Sequence, residues 1–386
     1  MYEIETDGVP VKVWGADIDE GALEQARNLG LLPFAFRHVA LMPDAHVGYG
    51  MPIGGVLAAL GQVIPHAVGL DIGCGVRSWC TNISGAEFSP ARDTVLNDVQ
   101  RSVPTGFEWH RTSQTDRTDL FDDVPDIAPL HAEIDKAVRQ VGTLGGGNHF
   151  IEAQVDPDGV VWMMVHSGSR NLGKQMAEHY DKVAKAENRA SGSPVPAEWG
   201  LAHLATDSEA GAEYLEAMGF CLRFARENRR LMAESVRAAI ERRFPGVTPA
   251  PDVDVHHNYA AVEEHFGERV VVHRKGAVRA EGTVLVPGSM GTASYVCRGL
   301  ANPESFSSCS HGAGRVMGRK AAMRAFSREH VMRELDTAGV RLFKAKKGDL
   351  AEEAPAAYKD IEDVMHLQRD LVEPVIRLTP IGVLKG

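Results

Sequence analysis

The residues best suited to chemistry in this chain are histidines, one cysteine and one aspartate that lie in or beside glycine turns. Asp71 and Cys74 are three residues apart in the segment DIGCG, and a carboxylate and a thiolate at that spacing can face one metal ion, although a lone cysteine is more often an inert core residue. His149, His166 and His257 are predicted to stand at strand ends, where ligands usually converge. Oxygen, sulfur and nitrogen donors together suit Mn²⁺, Zn²⁺ or Fe²⁺, and the spacing does not choose among these ions.

Three glycine-rich segments have the composition of phosphate-binding loops: GTLGGGNH, PGSMGTAS and SCSHGAGR. Successive backbone N–H groups in such loops bind anions. His311 lies in the third segment, before a predicted helix, GRVMGRKAAMRAF, whose N-terminus would favour an anion near the imidazole, with Arg315 and Arg319 adding positive charge. A neutral imidazole beside a phosphate is a competent nucleophile. The alternative is that the GAG sequence is only the turn that starts the helix.

Composition places the chain among ordinary globular proteins. It has 386 residues, 44% hydrophobic and 24% charged, which excludes a disordered chain and a disulfide-stapled scaffold. The net charge is −11, so an RNA or DNA site would have to be a local basic patch. The five cysteines are odd in number and have no CxxC spacing, which predicts a reducing, cytoplasmic location. No run of about 18 apolar residues and no signal peptide is present in the sequence, so no membrane association is expected.

Hydrophobic periodicity predicts the elements that must position these residues. We expect strands joined by glycine turns on both sides of a long helical section, and a chain that folds as one α+β domain, 1–386, with a helical insertion over 172–245. The predicted strand regions are 11–14, 41–80, 141–166 and 252–299, and the predicted helices cover 19–30, 134–140, 173–190, 211–244 and 313–335. Residues 88–140 are otherwise polar and weakly patterned.

These motifs resemble those of the RtcB family of RNA ligases. The matching segments run in order from about residue 40 to the last residue: LMPDAHVGYGMPIGG, VGLDIGCGVRS, GTLGGGNHFIE, VHSGSRNLG, HHNYA, HRKGAVRA, VPGSMGTASYVCRG, SFSSCSHGAGRVMGR, AYKDIEDVM and VLKG. The resemblance implies stacked β-sheets with flanking helices, and an enzyme that uses GTP and two Mn²⁺ ions. That enzyme would join RNA 2′,3′-cyclic phosphate or 3′-phosphate ends to 5′-hydroxyl ends through a His–GMP intermediate, in tRNA splicing or RNA repair. An activator protein could assist it.

Two alternatives to the ligase stay open at this point. One is a metal-dependent phosphodiesterase or nucleotidyl-transferring paralogue that acts on other nucleic-acid ends. The other is a non-enzymatic protein that binds RNA ends or another partner. The presence of His311 and of the full set of metal donors argues against this second alternative.

The resemblance also implies a role for each matching residue. Asp71 and His149 would hold one Mn²⁺, His166 and His257 the other, and Cys74 would bridge them. His311 would attack the α-phosphorus of GTP. The residues implied to contact GTP are Asn148, Glu152, Ser289, Ser294, Gly312, Ala313, Gly314, Tyr358 and Lys385. Those implied to bind RNA or phosphate are Arg170, Lys275, Arg315 and Arg319, and we expect a basic stripe around Arg170, Arg274, Lys275 and Arg315.

Overall fold

A computed structural model describes residues 1–248, 250–344 and 350–386 of the chain. Its α-helices are α1 (Glu20–Gly30), α2 (Pro65–Val68), α3 (Gly85–Ser102), α4 (Ala128–Gln140), α5 (Arg170–Ser191), α6 (Glu209–Glu241), α7 (Arg319–Ala325), α8 (Arg328–Thr337) and α9 (Ile361–Leu367). Its strands are β1 (Tyr2–Ile4), β2 (Val11–Val13), β3 (Ala35–His46), β4 (Ile53–Ala59), β5 (Gln62–Val63), β6 (Gly75–Ser84), β7 (Phe150–Val155), β8 (Val160–Ser167), β9 (Leu204–Ala205), β10 (Val253–His256), β11 (Asn258–His265), β12 (Glu268–Lys275), β13 (Ala277–Arg279), β14 (Thr283–Val286), β15 (Ser294–Gly299), β16 (Ser308–Ser310), β17 (Arg341–Lys344) and β18 (Val372–Lys385). In these ranges no helix is long and apolar enough to cross a membrane.

Two large sheets form the centre of the α+β fold. One has the strand order β1-β2-β3-β4-β12-β11, and the other has the order β10-β6-β8-β7-β18-β15-β14, with β17 added beside β18. Alternate residues of a strand face opposite sides of its sheet. On β3, Ala40 and Met42 therefore face a core shared with Val284 and Tyr295 of the second sheet, whereas Leu41 packs in the cluster that contains the buried face of α1.

Helices cover the outer faces of both sheets. Helix α6, which is 33 residues long, packs with α4 and α5 in one apolar cluster. Its C-terminal half packs with α3 against Trp79, Met163 and Val165 of the second sheet. One helix thus contacts several of the strands whose ends carry the candidate ligands.

The long periodic helices were predicted correctly, and α3 was missed. It occupies the weakly patterned region, where only Phe88, Val95, Leu96 and Val99 are buried on an otherwise polar helix. Its start is fixed by a capping box, in which Ser84 and Glu87 satisfy each other's backbone N–H groups.

The predicted helix over 313–335 was wrong at its beginning. Helix α7 starts only at Arg319, and a second short helix, α8, follows it. Before α7 the backbone is extended, because Val316 N donates to Ala357 O (2.9 Å) and Arg315 forms a bridge with Tyr358. The helix therefore begins eight residues after His311 and not directly beyond it.

Candidate active site

Four neighbouring strands end at one edge of the second sheet, and this edge gathers the candidate metal ligands. Strand β6 pairs with β8 and β10, and β7 pairs with β8, all antiparallel. The pairs Gly75–Ser167, Phe150–His166 and His256–Gly75 place the relevant strand ends side by side. The candidate donor residues therefore lie together at the strand ends, as the sequence predicted.

The five donor side chains form two overlapping groups that share Cys74. Asp71, Cys74 and His149 form one group, and Cys74, His166 and His257 form the other, with the donor atoms of each group all within 4.8 Å of one another. His149 Nε2 lies 3.0 Å from Asp71 Oδ2 and 3.5 Å from Cys74 Sγ. His166 Nε2 lies 3.3 Å from Cys74 Sγ and 3.4 Å from His257 Nε2. The predicted set is therefore assembled, while its occupation by metal stays a prediction.

The electrostatics of these side chains suit a cation. Burial lowers the pKa of His166 and of His257 well below the usual value, so both imidazoles are neutral and keep a lone pair for an ion. Burial, followed by the nearby Asp71 carboxylate, raises the pKa of the Cys74 thiol. Nδ1 of His149 is within 2.9 Å of Leu144 O, which leaves Nε2 to face the donor group. A divalent cation would favour the thiolate and balance the carboxylate.

Two adjacent residues of α6 fasten the ligand-bearing loops together. Arg229, which is fully buried, donates through Nη1 to Gly73 O (2.9 Å) and Ser167 O (2.8 Å), and its guanidinium also pairs with Asp254. These carbonyls adjoin Cys74 and His166.

Asn228 provides a similar connection. Its Oδ1 accepts from the N–H groups of Gly142 (2.7 Å) and Thr143 (2.9 Å), and its Nδ2 donates to Gly168 O (3.0 Å). The loop that leads to His149 and the loop that follows His166 are therefore held by one side chain.

A cavity opens beside the donor groups and is lined by most of the residues predicted to contact GTP. These are Asn148, Glu152, Ser289, Gly312, Ala313, Gly314, Tyr358 and Lys385, and His166, His311, Arg315 and Arg319 lie on the same walls. Residues from all three predicted phosphate-binding segments therefore line one cavity.

His311 lies at this cavity, and Asp44 holds its ring. His311 Nδ1 is 2.7 Å from Asp44 Oδ2, and the backbone N–H of His311 donates to the same oxygen (3.1 Å). Gly314 packs so closely on Asp44 that an added Cβ would lie 2.2 Å from the Asp44 carbonyl oxygen, and its φ is +73°. The carboxylate favours the tautomer in which Nδ1 carries the proton, which leaves the lone pair of the ring on Nε2. The His311 ring is 4.9 Å from that of His257.

The inner end of the cavity carries buried charge. Burial raises the pKa of Glu152 to about 8, although Gln154 Nε2 donates to this carboxyl (2.5 Å). Burial would also raise the pKa of Glu353, but Lys385, Tyr358 and Arg315 lower it to about 2. Glu353 is therefore a permanent carboxylate, and it holds Lys385 Nζ at 3.3 Å. The two acids differ because one has several cationic and hydrogen-bonding neighbours and the other has few.

Three of the predicted contact residues do not line this cavity. Ser294 is behind the cavity wall, where its hydroxyl accepts from Gln154 (3.0 Å) and from Gly288 N (3.2 Å). Arg170 and Lys275 are outside the cavity: Arg170 donates to Thr143 (3.0 Å), and Lys275 donates to the carbonyls of Tyr49 and His66.

Arg274 corrects the predicted basic stripe. It is wholly buried and pairs with Glu263, with Nη1 to Oε1 at 2.5 Å. A surface stripe that includes Arg274 does not exist, because this side chain is a structural cation of the core.

Sequence reasoning missed Asp44, Asn228, Arg229 and Glu353. Asp44 stands in the motif LMPDAHVGYG, and its position next to histidine-rich glycine segments was the available signal. Asn228 and Arg229 sit in the polar run ENRR of α6, which resembles any solvated helix face. Glu353 lies in EEAPAAY, where nothing local separates it from Glu352.

Comparisons with known proteins identify the family of this chain. The family model "tRNA-splicing ligase RtcB" matches residues 25–128 and 126–386. The RNA-splicing ligase RtcB of Escherichia coli K12 is 37% identical over 412 residues, covering 100% of both chains. The tRNA-splicing ligase RtcB of Thermococcus kodakarensis is 35% identical, covering 94% of this chain and 91% of the relative. The RNA-splicing ligase RtcB of Mycobacterium tuberculosis is 34% identical, covering 94% and 100%.

Proposed function

Because the chain belongs to the RtcB family and is an RNA ligase, we propose that it joins RNA 3′-phosphate or 2′,3′-cyclic phosphate ends to 5′-hydroxyl ends with GTP and Mn²⁺. The RNA would be that of tRNA splicing or RNA repair. The observation that carries the chemistry is the placement of His311 at a glycine-lined cavity, with Asp44 on Nδ1 and Nε2 left free to react.

The first step is attack by His311 Nε2 on the α-phosphorus of GTP. A nitrogen–phosphorus bond forms while the bond from that phosphorus to the bridging oxygen breaks, and pyrophosphate leaves. Since Nδ1 keeps its proton during the attack, the ring gains positive charge, which the Asp44 carboxylate stabilises.

The second and third steps use the histidine-bound GMP. An oxygen of the RNA 3′-phosphate attacks its phosphorus, displaces His311 and forms a phosphoanhydride. The 5′-hydroxyl then attacks the RNA phosphorus, loses its proton, and releases GMP as the leaving group. A cyclic end is first opened by water to the 3′-phosphate.

The donor set fits two divalent cations. Asp71 and His149 would hold one, His166 and His257 the other, and Cys74 would contribute its sulfur to both. The mixture of one carboxylate, one thiolate and three imidazoles suits Mn²⁺, and it would also suit Zn²⁺ or Fe²⁺. When bound, such ions would offset the negative charge of phosphates and make water more acidic.

Guanine selection is assigned to Glu152. A carboxylate accepts from both N1–H and N2–H of guanine, and adenine has no matching pair of donors. Tyr358 and Lys385 line the same cavity and would close around the base. Arg315 and Arg319, on the wall beside His311, are the candidate phosphate or RNA contacts there, with Arg170 and Lys275 further out. The cytoplasmic location indicated by cysteine usage, and the need for an activator protein, stay predictions.

Replacing His311 tests the proposal by separating its steps. With α-labelled GTP and Mn²⁺, the wild-type protein should acquire a covalent label and seal a 2′,3′-cyclic phosphate end to a 5′-hydroxyl end. His311→Ala should acquire no label and should not seal RNA from GTP. Given RNA that already carries the 3′-linked guanylate, His311→Ala should still seal it, because the remaining residues of the cavity carry out that displacement.

Two outcomes would contradict the proposal. A normally labelled His311→Ala protein would remove His311 as nucleophile, and cleavage of RNA ends without sealing by the wild-type protein would favour a phosphodiesterase. Failure of His311→Ala on pre-activated RNA would instead show that the variant is structurally damaged.

A further inference from the structure

Two aromatic side chains project from the surface next to the active site. Phe107 is fully exposed, at 104% of its reference area, and Trp109 is 40% exposed. Both belong to the segment that follows α3, outside the elements that line the cavity. Exposed aromatic rings forgo the stabilisation that burial would give, and when they cluster near a functional site they indicate binding.

The segment is fastened directly to the loop that carries a predicted metal ligand. Gly106 N donates to Gly145 O (2.8 Å), and Arg170 Nη2 donates to Gly106 O (2.8 Å). Gly145 in turn lies against His149, since an added Cβ would be 2.7 Å from His149 Nδ1. Phe107 therefore follows Gly106, which is hydrogen-bonded to the loop that carries His149.

Gly386 packs against the same pair of residues, Gly106 and Gly145. A Cβ added to Gly386 would lie 1.5 Å from Gly145 O and 3.1 Å from Gly106 N. The preceding residue, Lys385, lines the cavity. The aromatic segment is thus part of the rim of the active site.

Cationic groups accompany the two rings. The guanidinium of Arg139 lies over the Trp109 ring, 5.3 Å from its centroid, and Arg139 O accepts from His110 N (2.9 Å). Arg111, two residues after Trp109, is exposed. Although Glu108 stands between the two rings, exposed aromatic rings with arginines beside them are typical of surfaces that bind single-stranded nucleic acid.

We propose that Phe107 and Trp109 form a stacking surface for unpaired bases of the RNA substrate, at the rim of the site where its ends are joined. The proposal rests on the assignment of the chain as an RNA ligase. Every base has a π-face, so stacking on these rings would not select a sequence. Stacking would also help a chain of net charge −11, on which long-range attraction of the phosphate backbone is weak.

The test compares two RNA probes on two variants of the full chain. One probe is a single-stranded decamer with a 5′-hydroxyl and a 3′-phosphate, and the other is the same strand with abasic residues near its ends. The variants are the double substitution Phe107→Ala/Trp109→Ala and the control Phe266→Ala. Phe266 is a matched ring, 37% exposed with Arg37 at 4.2 Å from its centroid, and it packs with Phe306 rather than with the site loops.

We expect the wild-type protein and the control to bind the intact strand at least about tenfold more tightly than the abasic strand. The double variant should bind the intact strand at least about tenfold more weakly than wild type and should not distinguish the two strands. Fluorescence anisotropy of strands that carry an internal fluorophore, measured without GTP, gives both dissociation constants. Labelling by α-labelled GTP should be unchanged in the double variant, because neither ring contacts the cavity.

Two results would overturn the stacking surface. One is wild-type affinity of the double variant for the intact strand, which includes the case in which the rings bind an activator protein instead. The other is a double variant that still prefers the intact strand. Failure of the proposed function would look different, since the wild-type protein would then lack GTP-dependent sealing whatever its preference between the strands.

Discussion

At the scale of single residues, the imidazole of the proposed nucleophile, His311, depends on the buried carboxylate of Asp44. Asp44 has no exposed surface and contacts both Nδ1 and the backbone N–H of His311. Because bond formation at Nε2 makes the ring cationic, a charged neighbour at Nδ1 lowers the barrier, whereas a neutral amide of the same shape does so much less.

Asp44→Asn should therefore slow formation of the covalent guanylate by roughly 10²- to 10⁴-fold, by analogy with other carboxylates that orient a catalytic histidine. The sealing of pre-activated RNA should be nearly unchanged. Single-turnover labelling with α-labelled GTP measures the first quantity. Asp158→Asn, in an exposed turn, is the control. Equal slowing of both steps would assign Asp44 a purely structural role.

Glu152 should make guanine binding depend on pH. Its pKa is about 8, raised by burial above the ordinary 4.5, so the free protein must lose this proton to accept two hydrogen bonds from guanine. The affinity for GMP should rise with pH up to about 8, by at most about tenfold per unit, and then level off. Glu152→Gln should bind GMP weakly at every pH and should discriminate less between GMP and AMP. Calorimetric titration of both proteins between pH 6 and 9 would show this, and identical pH profiles would remove Glu152 from the base site.

The raised pKa of Glu152 also makes the stability of the folded protein depend on pH. A carboxyl whose folded-state pKa is raised contributes stability that is complete below about pH 4.5 and is lost as pH rises through about 8. Glu152→Gln should therefore lose less stability than wild type between those values. Thermal unfolding across that range measures the difference.

At the scale of elements, α6 aligns the site through a pair of adjacent residues. Arg229 and Asn228 bond the backbone of the loops that carry Cys74, His149 and His166. Groups behind metal ligands typically change metal affinity by 10- to 100-fold when altered. The helix thus acts as a rigid template, because its buried half is already held by apolar packing.

Arg229→Lys and Asn228→Ala should each weaken divalent-metal binding by about 10- to 100-fold. Lysine keeps the charge opposite Asp254 but cannot bond both carbonyls through one nitrogen while its other nitrogens bond Asp254. Co²⁺ is the probe, since its thiolate charge-transfer absorption reports on Cys74 directly. Arg230→Lys, one residue further along and paired with the half-buried Glu227 and Glu234, is the control. Wild-type Co²⁺ spectra and wild-type Co²⁺ affinity in both variants would show that α6 does not position the metal ligands.

At the scale of the whole molecule, the last strand completes the central sheet. Strand β18 pairs with β7, β15 and β17, and Val383 and Leu384 are fully buried. The C-terminus therefore supports the fold as well as supplying Lys385. By contrast, β1 is an edge strand with exposed side chains that pairs only with β2 in its sheet order.

Removing residues 382–386 should cost several kcal/mol of unfolding free energy, since each buried aliphatic side chain contributes roughly 1.5–3 kcal/mol. That is a large part of a total of about 5–15 kcal/mol. Removing residues 1–5 should cost far less. Urea unfolding followed by circular dichroism compares the two truncations. A C-terminal truncation with wild-type stability, lacking only GTP binding, would show that β18 serves the site alone.

The sequence by itself determined the elements and residues whose signals are local. Helices α1, α5 and α6 follow from apolar spacing, and the strands around the glycine turns follow from short buried runs. The ligand set was identifiable because Asp71, Cys74 and the three histidines stand in motifs with distinctive composition. Local composition also singled out His311 within SCSHGAGR, while its role as nucleophile came from the family resemblance.

Tertiary structure alone decided which polar residues serve the site and which serve the core. Asp44 is 267 residues from His311 in sequence, and Arg229 is 156 residues from Gly73, so no local pattern connects them. Arg274 and Lys275 are neighbours in one basic motif, yet strand alternation directs Arg274 to Glu263 and Lys275 to the carbonyls of Tyr49 and His66. The physical reason is that a side chain's charge and hydrogen bonding depend on its partners in space, which strand pairing and helix packing bring together only in the folded chain.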